Sequence, residues 1–235
     1  MPADRIIGSL KESSLHASLK RSYAGSGGTE RNVAGFVCDA LAEDGAVVEI
    51  QTGSFAPLIR KVAAYSSFAK VRIVHPIALE RRIETRDETG EVLRSRRSPR
   101  RGSAWDLFTA LVYAPRLPLE PGLTIELAFT EETEVRVADG KGSWRRKGVS
   151  VWDRVLIAVK HTEVLSGPAD FGRFLPPGLP EDFSAADLAA AAGIKPALAR
   201  RVLYVLVRLG LIAVAGKKSR SRLYRRSATA GAAMP

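Results

Sequence analysis

The segment Gly35-Phe-Val-Cys-Asp39 is followed, after Glu43-Asp-Gly45, by Ala46-Val-Val-Glu-Ile-Gln-Thr52. Both segments are rich in β-branched and apolar residues, and the stretch between them supplies a turn, so the pair predicts a hairpin. Alternation along the second strand puts Val47, Glu49 and Gln51 on one face and Val48 and Ile50 on the other. Asp39 ends the first strand and is expected beside Glu49. Two carboxylates brought together at the rim of a buried hairpin repel each other, and a bound cation offsets that repulsion. The rest of the chain has to be built around this pair.

Before the hairpin, Ser9 opens a helix that is expected to run to about Tyr23, with Leu10, Leu15, Leu19 and Tyr23 on its apolar face. Ser9 with Glu12 matches a capping box, which gives Glu12 a structural role. His16 lies one turn further on the same face, which gives Glu12 a polar neighbour and an alternative role at a site. Gly25-Ser-Gly-Gly28 reads as a flexible connection; no Gly-Lys-Ser/Thr follows it, so it is not a phosphate-binding P-loop. After the hairpin, Ser54 is expected to cap a helix bearing Leu58, Val62 and Tyr65 on one side and Arg60 and Lys61 elsewhere. Val71-Arg-Ile-Val74 reads as a strand ended by Pro76. Helix, two strands, helix, strand is the order of an α/β sandwich.

The middle of the chain predicts a hairpin around Asp87-Glu-Thr-Gly90 and an arginine run, Arg94, Arg96, Arg97, Arg100 and Arg101, that is either a solvated loop or a phosphate contact. An amphipathic helix follows from Ser103 to Tyr113 and a strand from Thr124 to Val137. Lys141, Arg145, Arg146 and Lys147 surround Trp144, which reads as a packing residue rather than a base-stacking platform. Val151 to Leu165 reads as a helix, and the Pro/Gly-rich stretch from Gly167 to Pro180 as a joint.

Beyond that joint, Ser184 caps a short helix ending at Gly193, and Pro196 starts a second helix with Leu198, Val202, Val205 and Leu209 on its buried stripe. A strand from Leu211 to Ala215, a basic turn from Gly216 to Arg222 and a returning Leu223-Tyr-Arg complete the outline of a winged helix-turn-helix. No acid occurs among the many Lys and Arg residues between Lys195 and Arg226. A helix in a major groove and a wing straddling phosphates would use that distribution, with Arg200, Arg201, Lys217, Lys218, Arg220 and Arg222 as the expected DNA contacts. The whole chain carries a formal charge of +11, which favours a polyanionic partner.

A single cysteine, Cys38, excludes an internal disulfide and fits a reducing compartment. The most hydrophobic run, Val202 to Ala215, is broken by Arg208 and too short to span a bilayer. Together these features predict a cytoplasmic protein with no membrane association. His16, His75 and His161 are scattered, so zinc ligation by a His/Cys cluster is not expected.

Glu12 on a first helix, Asp39 closing a strand and Glu49-Ile-Gln51 on the next, then helix and strand, together resemble the PD-(D/E)xK nuclease superfamily over roughly Ile7 to Pro76. The resemblance implies that Asp39 and Glu49 bind magnesium, with manganese as a substitute. It implies further that the Ile50 carbonyl completes the protein ligands and that Glu12 supports a second metal or its water. Gln51 stands at the family's lysine position, where it can orient the attacking water without adding charge. Some members resembling this pattern carry Glu-x-Gln and cut; others move the lysine to the following helix, where Lys61 is the candidate, ahead of Arg60.

The expected architecture is therefore a restriction-endonuclease-like α/β sandwich with elaborations over residues 1–150. A winged helix-turn-helix over 151–226 and a tail over 227–235 complete it. The expected function is magnesium-dependent hydrolysis of DNA phosphodiester bonds, with duplex DNA held by the basic winged helix and a homodimer as the form that cuts both strands. The catalytic set is Glu12, Asp39, Glu49, Gln51 and Lys61. The alternative is a non-catalytic DNA-binding regulator or scaffold with a degenerate nuclease-like core.

Overall fold

The computed structural model describes residues 13–142, 144 and 148–227. Glu12, with the Ser9–Glu12 capping box, and Arg145 to Lys147 lie outside the described residues. Helix α1 spans Ser14–Tyr23, and its N-cap is Ser13, whose side chain accepts from the His16 N–H. Its Leu15 and Leu19, one turn apart, are buried with Ala40, Val48, Ile50, Val74 and Ala128, and so define one face of a large sheet.

Strands β1 (Thr29–Val33), β2 (Phe36–Leu41) and β3 (Val47–Ile50) form a meander in which each is antiparallel to the next, and β3 continues the sheet parallel to β4 (Val71–Arg86). The expected hairpin is β2–β3. Strand β1 has no counterpart in the sequence reading: Thr-Glu-Arg-Asn-Val is polar and almost wholly exposed, and only pairing with β2 makes it a strand. Helix α2 spans Leu58–Tyr65 and buries Leu58, Val62 and Tyr65, as the periodicity predicts. Ser54 does not cap it. The N-cap is Pro57, and the Ser54 hydroxyl instead accepts from the Ala56 N–H in the preceding turn.

Pro76 does not end its strand. β4 runs on to Arg86, paired along its length with the parallel strand β6 (Leu123–Ala138). Val74 accepts from the Gln51 N–H and therefore points toward β3, so Pro76, two residues on, points the same way. Strand β3 has already stopped at Ile50, and the missing proline N–H costs no ladder bond. Strand β5 (Val92–Arg97) takes up that side of β4 only from Arg82 onward, so β3 and β5 leave a gap between them.

The stretch from Val151 to Leu165 is a strand rather than a helix. β7 (Val149–Leu165) pairs antiparallel with β6 from Ile125↔Leu165 to Ala138↔Val149, with three register shifts. Val151, Val155 and Val159 match a helical spacing, but the segment is rich in Val, Ile and Thr, whose branched side chains suit a sheet once a partner strand is present. The sheet-bearing unit consequently extends to Leu165, past the boundary expected at residue 150. Its full order is β1-β2-β3-β4-β6-β7, with β5 branching from β4.

The opposite face of the sheet carries α2 and α3 (Leu107–Leu111), the latter preceded by a 3-10 turn that a Ser103/Asp106 capping box closes. A further 3-10 segment, Pro168–Phe174, leads to α4 (Ala185–Ala192), α5 (Pro196–Arg208) and the hairpin β8 (Ile212–Lys218)–β9 (Ser221–Arg226). Ser184 and Asp187 form a second capping box, and Gly193 ends α4 in the left-handed region. The basic segment expected as a long turn is mostly strand: Lys217 pairs with Arg222 and Lys218 with Ser221, leaving Ser219-Arg220 as the turn. One hydrophobic cluster runs from Cys38 and Tyr65 through Phe108, Phe171 and Phe174 to Val202 and Ile212, so the C-terminal helices share the sheet's core. Phe108 meets Phe174 and Phe171 edge-on, with ring centroids 4.8 and 6.2 Å apart.

Phe108→Ala empties the middle of this shared core. It is expected to lower unfolding free energy by about 3–5 kcal/mol, with the sheet and C-terminal helices still melting in one transition. Urea denaturation followed by both far-UV circular dichroism and tryptophan fluorescence tests this; two separated transitions would contradict it.

Candidate functional site

The β2–β3 ladder pairs Leu41 with Val47 and Ala40 with Val48, and then stops. Continued by one residue, it would have set Asp39 opposite Glu49. Instead the strands part there, and the Asp39 carboxylate fills the fork: its Oδ2 accepts from the Ile50 N–H at 2.7 Å. The Ile50 carbonyl faces the same gap, and His16 of α1 reaches it with Nε2 at 2.9 Å. A carbonyl only accepts, so Nε2 carries a proton. The same nitrogen lies 3.3 Å from Asp39 Oδ2. Lys20, one turn along α1, has Nζ 3.9 Å from Asp39 Oδ1 and 2.7 Å from Glu30 Oε1. Burial pushes the Asp39 carboxyl up, but the His16 and Ile50 hydrogen bonds and the charges of His16 and Lys20 together hold it below its ordinary value.

Glu49 points to the other layer and is buried at 3% exposure. Lys61 of α2 bonds both of its oxygens, Nζ lying 2.8 and 2.9 Å away, and also donates to the Val37 carbonyl at 2.7 Å. Tyr65, one turn further along α2, donates to Glu49 Oε1 at 3.3 Å. Burial raises the Glu49 carboxyl above the ordinary glutamate range, and the Lys61 contact recovers only part of that; the Asp39 charge adds to the rise. The two acids feel each other, yet each is held by a helix on its own side of the sheet.

Of the expected site residues, then, Asp39 and Ile50 meet in the fork on the α1 side, whereas Glu49 and Lys61 pair on the α2 side, so the two acids do not converge as the alternation suggests. Gln51 turns away, its amide donating to the Ser54 carbonyl within its own loop. Arg60 is exposed and Glu12 lies outside the described residues. The sequence reading placed His16 near the site but missed Lys20 and took Tyr65 for a core residue only. The i, i+4 spacings His16/Lys20 and Lys61/Tyr65 were the available signals.

Among the described residues no group of three or more His, Cys, Asp and Glu side chains is close enough to hold a metal ion. The donors that do converge are Asp39 Oδ2 and the Ile50 carbonyl, both within 3.3 Å of one proton-bearing nitrogen. Both are oxygen donors, the type of atom that hard cations take. Glu49 faces the other layer, where Lys61 holds both of its oxygens.

In the C-terminal unit, Arg200 and Arg201 on α5 and Lys217, Lys218, Arg220 and Arg222 on the hairpin are all exposed. None of these six makes an ion pair among the described residues. Arg225 and Arg226 are structural instead: Arg225 pairs with Asp182, and Arg226 donates to the carbonyls of Leu175 and Pro176.

This is a mixed α/β protein with one large mixed sheet. The chain belongs to the family described as a domain of unknown function (DUF8091), whose model matches residues 13–166, the span from the α1 cap to the end of β7. It is also similar to a protein of Treponema pallidum (strain Nichols) that carries the name "Uncharacterized protein". The two are 28% identical over 222 residues, covering 94% of this chain and 87% of the relative. No solved structure gives a significant match. No helix among the described residues is long and apolar enough to cross a membrane.

Lys61→Met leaves a buried carboxylate without its cation and is expected to cost about 3–5 kcal/mol at neutral pH. Lys61 is what lowers the raised Glu49 carboxyl, so removing it raises Glu49 further, and the deficit relative to the parent grows as pH rises from the parent's raised value through the variant's higher one. Urea denaturation at acidic and neutral pH tests this: the loss should be smaller in acid, and equal losses at both pH values would contradict the pairing.

Proposed function

We propose that this protein is a magnesium-dependent endonuclease acting on DNA. The observation that carries the reading is the convergence of Asp39 Oδ2 and the Ile50 carbonyl on one point in the β2–β3 fork, with the Glu49–Lys61 pair on the α2 side of the same strand. On this reading the core is a restriction-endonuclease-like sandwich. It draws support from the order of a helix, an antiparallel strand pair, a helix and a parallel strand. Lys61 serves as the displaced family lysine, in keeping with its contact to Glu49 and with Gln51 being committed to its loop. Asp39, Glu49 and the Ile50 carbonyl would hold magnesium, or manganese in its place, and His16 would yield the position it now shares with them. The ion supplies charge neutralisation on the phosphate and an activated water. The chain's own part is to fix the acids, to orient the water through Lys61, and to keep the fork dry on the α1 side with Leu15 and Leu19. Glu12 keeps its supporting role in the proposal.

The C-terminal helices and hairpin are read as a winged helix-turn-helix. Arg200 and Arg201 would lie against the groove, and Lys217, Lys218, Arg220 and Arg222 against the phosphates. Duplex DNA, a homodimer for double-strand cuts and a reducing cytoplasmic setting for buried Cys38 complete this reading. The second reading, a non-catalytic DNA-binding regulator or scaffold, is favoured by one observation: Lys61 occupies both Glu49 oxygens and so neutralises the second acid.

Plasmid nicking by purified protein with and without magnesium separates the two. Asp39→Ala and Glu49→Ala should abolish the product while leaving DNA affinity intact. Cleavage at the parental rate by both variants would sink the assignment, and binding without any magnesium-dependent product would favour the regulator. Changing Lys217, Lys218, Arg220 and Arg222 together to Gln should flatten the salt dependence of binding by roughly 0.9 logarithmic units per lost phosphate contact.

A further inference from the structure

Where β3 stops and β5 has not yet begun, the edge of β4 has no neighbouring strand, although the Gly102 N–H donates to the Ala78 carbonyl at 2.8 Å, and a crevice of about 480 Å³ forms beside it. This lies beyond the carboxyl end of β3, which is parallel to β4 and β6, a place where sheets of this kind tend to bind ligands. Its floor includes His75, which is buried at 6% exposure. His75 Nδ1 lies 2.6 Å from the Gln51 carbonyl and must donate to it. Burial holds the imidazole below its ordinary range, with the Gln51 carbonyl and the Asp106 charge opposing. With Nδ1 committed to the Gln51 carbonyl, Nε2 is the ring nitrogen left for another partner. Nε2 has no hydrogen-bond partner among the described residues, and His75 is one of the residues lining the crevice.

Three guanidinium groups line the same space: Arg81, Arg100 and Arg154. One acid lines it with them, Asp106, which holds Arg100 at 2.9 Å. Arg81 and Arg154 lean on Glu132 and Glu134 from behind, and each keeps further N–H donors. The turn Thr52-Gly-Ser54 forms another wall, and the N–H groups of Gly53 and Ser54 donate to no acceptor among the described residues. Tyr113 stands at the rim with 61% of its surface exposed. A ligand matching this lining carries an anionic group for the guanidinium and N–H donors. It also carries a hydroxyl or N–H to meet His75 Nε2, and a flat ring for Tyr113.

We propose that the crevice binds a nucleotide, its phosphate against Arg100, Arg81 and the Gly53–Ser54 turn and its sugar or base donating to His75. The volume lies within the range of small-ligand pockets. The proposal stands on the crevice's own residues and not on the metal site at the fork. The nucleotide comes either free or as one unit of a strand, and both present the same chemistry.

The test is titration calorimetry on the full-length protein in the absence of divalent ions. Deoxyadenosine monophosphate, a short phosphorylated single-stranded oligonucleotide and inorganic phosphate are the probes. The mononucleotide should bind and outperform phosphate alone. Arg100→Gln, at an exposed side chain, should weaken it roughly tenfold through loss of a charge-assisted contact. Thr109→Trp, an exposed position on the crevice wall, should block it, whereas Arg94→Gln on β5 should change nothing. Competition between mononucleotide and oligonucleotide identifies a strand unit as the source, and mononucleotide binding without competition identifies the free form. No mononucleotide binding, binding no better than phosphate, or binding indifferent to both crevice variants would overturn the proposal. Because this binding is measured without divalent ions and nicking requires them, its failure and that of the nuclease reading are read independently.

Discussion

The rest of the molecule depends on what happens at one peptide unit, that of Ile50. Where β2 peels away from β3, the Ile50 N–H and carbonyl lose their ladder partners and face a gap inside the protein. Unpaired buried backbone groups are costly, and here the Asp39 carboxylate and the His16 ring satisfy them. The side chain of one strand thereby replaces the backbone of that strand. This leaves a carboxylate held inside the fork between Ile50 and His16, which an uninterrupted hairpin would not have done.

That substitution imposes the arrangement of the two flanking layers. Asp39 is stabilised as an anion by α1 through His16 and Lys20, whereas the burial of Glu49, on the other face, is only partly offset by Lys61 and Tyr65 of α2. Removing a carboxylate from water costs several kcal/mol unless it is paired and hydrogen-bonded. Both helices must therefore dock in register for the sheet centre to be stable, and the leucines of α1 and the Leu58, Val62 and Tyr65 stripe of α2 set that register.

Much of the local structure was legible from residue patterns. The β2–β3 hairpin, the apolar stripes of α1 and α2, the Ser103/Asp106 and Ser184/Asp187 capping boxes and the Gly193 stop all follow from short-range chemistry that needs no distant partner. The pairing of Lys61 with Glu49 was half legible, since the lysine's helix could be placed but not its reach. Strands β1 and β7 and the passage of β4 through Pro76 were not legible. β1 has no apolar alternation, β7 carries a spacing compatible with a helix, and a proline inside a strand is tolerated only on a side with no neighbour. Each of these is settled by which strand lies alongside.

The sequence alone determined that this chain is a mixed α/β protein with an acidic hairpin near its start and a helical, strongly basic unit near its end, because periodicity, capping and charge are local properties. Only the tertiary structure decided that the long β6–β7 pair extends the first sheet to Leu165, that the basic unit shares its core, and that β3 and β5 leave an open stretch of β4 beside His75. It also decided that Asp39 and Glu49 face different helices. Those outcomes turn on which distant segments pack together and on how burial redistributes charge, and neither quantity is carried by the order of residues within a single element.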